Sequence, residues 1–439
     1  MFRVMVLCIA AVAVGLGCSA QTEKTGIRLS RKAEVFDYDM RTRFLLDGQA
    51  LCKRRVPTAG TPYPTYNMPD NAYMTGMYLG TLSMKYAVTK DPQVRAQAGE
   101  SIQALHLLCT VTGKPGLLAR SAVPLDEPFQ DDGTWRTSAD GRYRWRGDVS
   151  SDQMDGVLFG FAMAYDLVAN DEEKRLIAAD AAALVDHILD NNLRIVGYDG
   201  KPTTWGSYYP SYVQEREPMN AVLLLQHLKV AAHVTGEDRL AEAYRQIAVD
   251  RNYARIAVNA RRMLDPTIPG RINHSDDVLL FLAYYPLLRL EQDPQLRALY
   301  LESLKRAWEG ADGQPGVKPE ANPFYAFTAH AFLDDASGDA AAILTLAWFP
   351  FDMKWNRDTI AQYEQRFGFT SVSASGSLPP AKGEPIPIDR RVKTWSAWVQ
   401  DPYHHGGDRS TDTATEYNGH DYLLGYWLGR YHDYVDEAM

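Results

Sequence analysis

The stretch Glu217–Asp238 reads E-P-M-N-A-V-L-L-L-Q-H-L-K-V-A-A-H-V-T-G-E-D. Pro218 stands where a first helical turn has no partner for a backbone N–H, and Gly236 stands where a helix end takes positive φ. Between them runs one of the strongest helical patterns in the chain, at 217–235. Only Gly236 and Glu237 separate it from a second helical pattern at 238–262. So short a link folds the two helices into an antiparallel hairpin.

The same punctuation recurs along the chain. Asp91-Pro-Gln-Val-Arg-Ala96 returns as Asp293-Pro-Gln-Leu-Arg-Ala298, with Asp at the N-cap and Pro at the first helical position. A period of 3.6 between such stops predicts helices near 33–46, 70–88, 92–112, 152–168, 171–193, 217–235, 238–262, 275–290, 293–309, 322–334, 338–348 and 420–436. Period-two alternation is rare, so strands are minor. Short links at 89–91, 169–170, 236–237 and 291–292 alternate with long ones at 47–69, 113–151, 194–216, 263–274, 310–321 and 349–419. This alternation puts the long links at one end. They lead into helices beginning at Asp70, Asp152, Glu217, Asp276, Asn322 and Asp421. The expectation is an all-α chain: one (α/α)6 toroid over 21–439, with six inner and six outer helices and 33–46 as outer partner of the last. A helical solenoid is the alternative topology.

The 439 residues carry a formal charge of −9, which argues against a nucleic-acid partner. Arg3 and the apolar run Val4–Leu16 resemble an export signal, too short to span a membrane. Two cleavage readings follow. Either 1–17 is removed and Cys18 becomes a lipidated first residue, or Cys18-Ser19-Ala20 ends an ordinary signal peptide at 1–20. The protein is then periplasmic, outer-membrane-associated or secreted, and any membrane contact is through the lipid. Beyond Cys8 and Cys18 only Cys52 and Cys109 remain, as one disulfide or as buried thiols. Two cysteines make no structural zinc site. His404 and His405 lie near Asp401 and Asp408, but consecutive His side chains rarely converge, so no metal is expected. There is no phosphate-cradling Gly loop and no Gly-x-Ser-x-Gly motif, and no cofactor is expected.

The long links are rich in rings: Tyr63, Tyr66, Trp135, Tyr143, Trp145, Trp205, Tyr208, Tyr209, Tyr212, Trp395, Trp398 and Tyr403. Arg144, Arg146, Glu215, Arg216, His404, His405 and Arg409 are interleaved with them. Aromatic faces stack on sugar C–H faces while polar groups bond the hydroxyls, so the set predicts a cleft for an oligo- or polysaccharide. In Gly147-Asp-Val-Ser-Ser-Asp-Gln-Met-Asp-Gly156, Asp148, Asp152 and Asp155 crowd one helix entrance, and Asp276 and Asp277 crowd another. A cap needs one side chain, so each entrance has acids to spare. Glycoside hydrolysis needs two carboxyl groups across the scissile bond. Asp152 or Asp155 with Asp276 or Asp277 is the first pair, Asp70 is a third candidate, and Glu416 and Asp421 around Asn418 form a fourth cluster. The alternative chemistry is β-elimination on a uronate. There Asn273 would hold the carboxylate, His274 would take the proton, Tyr208, Tyr209 or Tyr403 would be the acid, and Arg146 or Arg216 would bind the uronate. A glycan-binding protein without turnover is the third reading.

Segments 147–167, 199–206 ("DGKPTTWG"), 272–277 ("INHSDD") and 418–432 ("NGHDYLLGYWLGRYH") resemble a group of exported bacterial proteins of uncertain activity, over about residues 60–435. The layout resembles the (α/α)6-toroid glycoside hydrolases and polysaccharide lyases. Segment 69–76, "PDNAYMTG", is similar to the inner-helix motif of unsaturated glucuronyl hydrolases, and that resemblance implies a catalytic Asp70. The Arg-Gly-Asn-Gly-Trp type segment of those enzymes is missing.

Overall fold

The computed structural model describes residues 27–61, 65–67, 69–127, 133–261, 273–371, 377, 380–403 and 414–439. In chain order the helices are α1 (Leu29–Arg43), α2 (Asn71–Thr89), α3 (Pro92–Thr110), α4 (Ser151–Leu167), α5 (Asp171–Asp190), α6 (Pro210–Glu215), α7 (Met219–Thr235), α8 (Asp238–Arg245), α9 (Tyr253–Ala257), α10 (His274–Leu290), α11 (Pro294–Glu309), α12 (Pro323–Leu333), α13 (Asp339–Trp348), α14 (Arg357–Phe367) and α15 (His420–Tyr431). They belong to two compact units, Phe44–Gly316 and the described residues through Arg43 with Val317–Met439.

In Phe44–Gly316, α2, α4, α7 and α10 pack side by side in that order, and each is followed by a helix packed on its outer side. The reason is written in the burial. Every residue from Asn71 to Met84 is buried, as is every residue from Gln153 to Ala164. α3 and α5 bury single stripes, such as Val94, Ala98, Ile102, Leu105 and Cys109. An all-apolar helix must sit inside, and a striped one covers it.

The ends obey the local chemistry the sequence predicts. The Asp91 carboxylate accepts from Gln93 N at 2.8 Å, and Asp293 accepts from Gln295 N at 2.8 Å. Gly236 closes α7 at φ +67°, donating to Ala232 O at 3.0 Å.

Contact between α2 and α4 is backbone on backbone. A Cβ on Gly76 would lie 2.0 Å from Gly156 O, one on Gly156 2.6 Å from Tyr73 O, and one on Gly160 2.5 Å from Gly76 O. No side chain fits there, so the two helices approach more closely than any others could with Ala.

Several expectations are corrected. The pattern at 238–262 breaks into α8, a π-turn at Gln246–Asp250 and α9. The last helix ends at Tyr431, where residues 432–436 leave the helix. The link 349–419 contains α14, capped by Asn356, whose Oδ1 accepts from Thr359 N at 2.9 Å, and stopped by Gly368 at φ +64°. The link 194–216 contains α6. The links also carry small antiparallel sheets, among them Ser121–Pro124 with Tyr143–Arg146 and Trp135–Thr137, and the hairpin Arg194–Val196 with Pro202–Ser207. Cys52 and Cys109 are separate buried thiols.

In the other unit α1 packs on α15 as expected of first and last helices. Leu29 N donates to Met439 O at 2.8 Å and Tyr422 Oη to Leu29 O at 2.9 Å. Phe36 is packed by Phe349, Phe351, Trp355 and Tyr422. Among the described residues no helix is long and apolar enough to cross a membrane.

Gly76→Ala is expected to destabilise the protein by about 1–3 kcal/mol, the cost of overpacking a filled contact. Gly60→Ala, with nothing within 4 Å of the new methyl, is the control. Denaturant melts of the two variants check this.

Candidate active site

Acid groups stand at the entrances of four helices: Asp70 and Glu217 just ahead of the first turns of α2 and α7, Asp152 and Asp276 within those of α4 and α10. Asp70 is the N-cap of α2, but its carboxylate makes no capping bond. It accepts instead from Gln153 Nε2 at 2.8 Å and from Arg120 Nη2 at 3.0 Å. The same guanidinium donates to Pro69 O at 2.7 Å and Asp148 O at 2.8 Å. Arg120 thus ties the entrance of α2 to that of α4.

At α4 the cap is made by Ser150, whose N and Oγ both lie 2.8 Å from Gln153 Oε1. Asp148 sits at φ +55° and binds Thr204 N and Oγ1 at 2.9 and 3.0 Å, fastening the 194–207 hairpin. Neither Asp152 nor Asp155 is needed as a cap. Asp155 is wholly buried, and neither carboxyl oxygen has a hydrogen-bond partner among the described residues. Burial pushes its carboxyl well above the usual range, and the Asp152 charge adds to this. Asp152, half-buried, is raised by desolvation and by Asp70, against a smaller opposing pull from Arg120.

Asp276 in the first turn of α10 is half-buried and also raised well above its ordinary value. Desolvation is the largest cause, then the charges of Glu217, Asp152 and Asp277. Asn273 Nδ2 donates to its Oδ1 at 2.8 Å, with Asn273 Oδ1 fixed by Ser275 Oγ at 2.7 Å. Glu217, immediately before Pro218, is pushed up to about 7 by burial, with Arg216 opposing. Tyr73 links the set: burial raises its phenol, and Asp155, Asp152, Asp70 and Asp276 all act on it. Tyr208, raised by burial and then by Asp155 and Asp152, bonds His227 Nε2 at 3.2 Å. Five carboxyl groups from four helices therefore share one electrostatic field. Burial lifts four of them, and the charges of neighbouring acids add to the shift of Asp152, Asp155 and Asp276, so the cluster favours the protonated form more than free carboxyl groups do.

Asp277 acts on Asp276 through its charge but is itself held by a cation. It is fully buried against Arg261, Oδ1 to Nε at 2.8 Å, and His274 Nδ1 lies 3.7 Å from its Oδ2. His274 is only 4% exposed. Asp277, one residue on from Asp276, is thus engaged by Arg261, with His274 buried beside it. Tyr209 carries the Arg194 guanidinium 3.8 Å above its ring and packs on Tyr212. Burial raises Tyr212, with Glu217 adding to the shift. Glu215 and Arg216 are exposed, and Trp205 is 46% exposed. Trp145 is buried beneath Tyr198. Arg146 ends the strand Tyr143–Arg146, and its carbonyl accepts from Arg120 N at 2.9 Å. Tyr66 pairs with Arg54 across a short hairpin.

The remaining candidates belong to the other unit. Glu416 is wholly buried, accepting from Arg43 Nη1 at 2.5 Å and Thr359 Oγ1 at 2.6 Å. Asn418 Oδ1 caps His420 N at 3.0 Å, and Asp421 binds Lys354 Nζ at 2.7 Å. These three are engaged in holding the unit together. Tyr403 N donates to Asp401. Cys18 and His404 lie outside the described residues, as do His405 and Asp408. Glu217, Tyr73, Arg120 and Gln153 escaped the sequence reading as site residues. Glu217 had a signal, since it occupies the same helix-entry position as the other acids.

No family model matches the chain, and no curated protein matches it in sequence. Solved structures do match. A family 76 glycoside hydrolase from a bovine Bacteroides thetaiotaomicron strain superimposes with TM-score 0.50 at 10% identity, over 94% of this chain and 79% of that one. Cellobiose 2-epimerase from Spirochaeta thermophila follows at 0.46 and 14%, covering 92% and 97%. An unsaturated glucuronyl hydrolase specific for heparin gives 0.43 and 12%, covering 92% and 96%. These neighbours are (α/α)6-toroid carbohydrate-active enzymes. The chain has the (α/α)6-toroid fold.

Asp277→Asn is expected to cost about 3–5 kcal/mol, because it leaves the Arg261 charge buried without its partner. Asp155→Asn should do the opposite above pH 5. A carboxyl raised in the folded state binds its proton more tightly there than in the unfolded chain, so its contribution to stability falls as pH climbs past about 4. An amide removes that loss. Thermal melts at pH 5 and pH 8 compare the three proteins.

Proposed function

We propose that this acid cluster is the active site of a glycoside hydrolase acting on an oligo- or polysaccharide. The observation that carries the reading is the pairing of Asp152 and Asp276. They stand on two different inner helices, are half-buried, and the charge of Asp152 acts on the ionisation of Asp276. Asp276, held towards its protonated form, is the general acid that gives its proton to the leaving-group oxygen. As the glycosidic C–O bond breaks, water adds to the anomeric carbon. The balancing proton passes to Asp152, the second carboxylate. Asp70, fixed by Arg120 and Gln153, supplies charge beside Asp152. Asp155 lies below, too buried to touch a sugar, and keeps the field high.

Elimination is the weaker reading. His274 is buried beside an occupied ion pair, and a uronate carboxylate at the reacting ring would meet four raised acids. The fold itself does not choose, since its neighbours include hydrolases and epimerases. The apolar leader before residue 20 extends the proposal to an exported enzyme meeting glycans outside the cytoplasm.

Asp276→Asn and Asp152→Asn are each expected to lower turnover at least ~100-fold, the scale of acid–base catalysis, with melts unchanged or higher. The assay is release of reducing ends from a polysaccharide panel. Products absorbing through a new C=C bond would favour elimination instead. Binding without turnover in the wild-type protein would mark a glycan-binding protein.

Glu217→Gln tests the tuning. A charged Glu217 raises Asp276, so its removal lets Asp276 lose its proton sooner. The alkaline limb of the pH–rate profile should then move to lower pH. An unmoved limb would remove Asp276 as the acid.

A further inference from the structure

A second cluster, distinct from the acids in its residues, is cationic. Tyr198, at the tip of the 194–207 hairpin, is 46% exposed. Its ring lies 5.6 Å from that of Trp145. Arg136 Cζ lies 5.4 Å from the Tyr198 centroid and 5.5 Å from the Trp145 centroid. Lys114 Nζ lies 4.4 Å from the Tyr198 centroid and bonds the Tyr198 carbonyl.

Two features make this more than ordinary surface. Neither Arg136 nor Lys114 has a carboxylate within ion-pair reach among the described residues, whereas neighbouring Arg142 is paired with Asp140 and Arg120 with Asp70. Two cations, Lys114 exposed and Arg136 half-buried, thus surround one ring in a chain of net charge −9. Space is also kept for the guanidinium: a Cβ on Gly147 would meet Arg136 Nη1 at 2.9 Å.

The cluster is continuous with the acid site. The strand Tyr143–Arg146 that carries Trp145 ends at Arg146, whose carbonyl accepts from Arg120 N. Gly147 and Asp148 follow, and Asp148 O accepts from the guanidinium that holds Asp70. A chain molecule lying across the acids would reach Tyr198 along this strand.

We infer that Lys114, Arg136 and Tyr198 form a subsite for an anionic sugar unit of the glycan bound at the acid cluster. The ring face takes the sugar, and the two cations take its carboxylate or sulfate. The negative group then sits away from the reacting sugar and its acids. This rests on the glycan-site reading above and names its substrate class as an acidic polysaccharide.

Affinity electrophoresis of the full chain in gels containing polygalacturonate, dextran sulfate or unmodified dextran tests it without needing turnover. Retardation should be stronger in one or both acidic gels than in dextran, and the gel that retards identifies carboxylate or sulfate as the group bound. Arg136→Gln and Lys114→Gln should each weaken that retardation about 10-fold, the scale of a lost charge-assisted contact. Thermal melts of both charge variants check that the hairpin stays folded, since Lys114 also bonds the Tyr198 carbonyl. Tyr198→Ala should weaken it as well. Equal migration in acidic and neutral gels, or unaltered migration of both charge variants, overturns the subsite and leaves the hydrolase reading standing. Retention on an acidic glycan by a wild-type chain with no turnover supports the subsite while removing the hydrolase reading.

Discussion

The close approach of α2 and α4 at Gly76, Gly156 and Gly160 is the constraint on which the site depends. Backbone meets backbone, with no side chain between to adjust the spacing. Both helices are buried along most of their length, so neither is free to slide. The contact brings the two N-terminal ends into register. Gln153 then reaches Asp70 at 2.8 Å, and Arg120 spans the two entrances. Asp152 and Asp155 come within the field of Asp70 as a consequence of where the glycines sit.

That arrangement is costly. A carboxyl group in a low-dielectric interior without donors favours its neutral form, and like charges nearby strengthen the preference. Among the described residues the Asp155 carboxyl has no donor, and that of Asp276 has the Asn273 amide. Three other buried acids are paired with cations: Asp277 with Arg261, Glu416 with Arg43, Asp421 with Lys354. The contrast separates residues that hold the structure from residues whose environment is arranged to shift their protonation, and such shifts concentrate at functional sites.

Much of the framework was legible because local rules and burial agree. The Asp-Pro starts at Asp91 and Asp293 and the Gly236 stop placed α3, α11 and the end of α7 nearly to the residue. The α14 helix also had its signals, in Asn356, the Ile360, Tyr363 and Phe367 spacing, and Gly368. They were hidden by the Pro- and Gly-rich chain that follows. The acids at helix entrances could be picked out as surplus to capping. Their separate fates could not. Asp276 and Asp277 differ by one position, about 100° around a helix, and the partner that claims Asp277 is Arg261, 16 residues earlier. Glu217 was named only as the start of a helix, one acid without a second beside it. Its influence on Asp276 exists only once α7 and α10 lie side by side.

The central claim is that these acids share protons at neutral pH. Infrared titration of the protonated carboxyl C=O band tests it most directly, comparing the wild-type protein with Asp155→Asn and Asp276→Asn. The account predicts a protonated-carboxyl signal that survives above pH 7 and diminishes with each substitution. A wild-type protein whose carboxyl groups all ionise near the ordinary value of about 4 would contradict it.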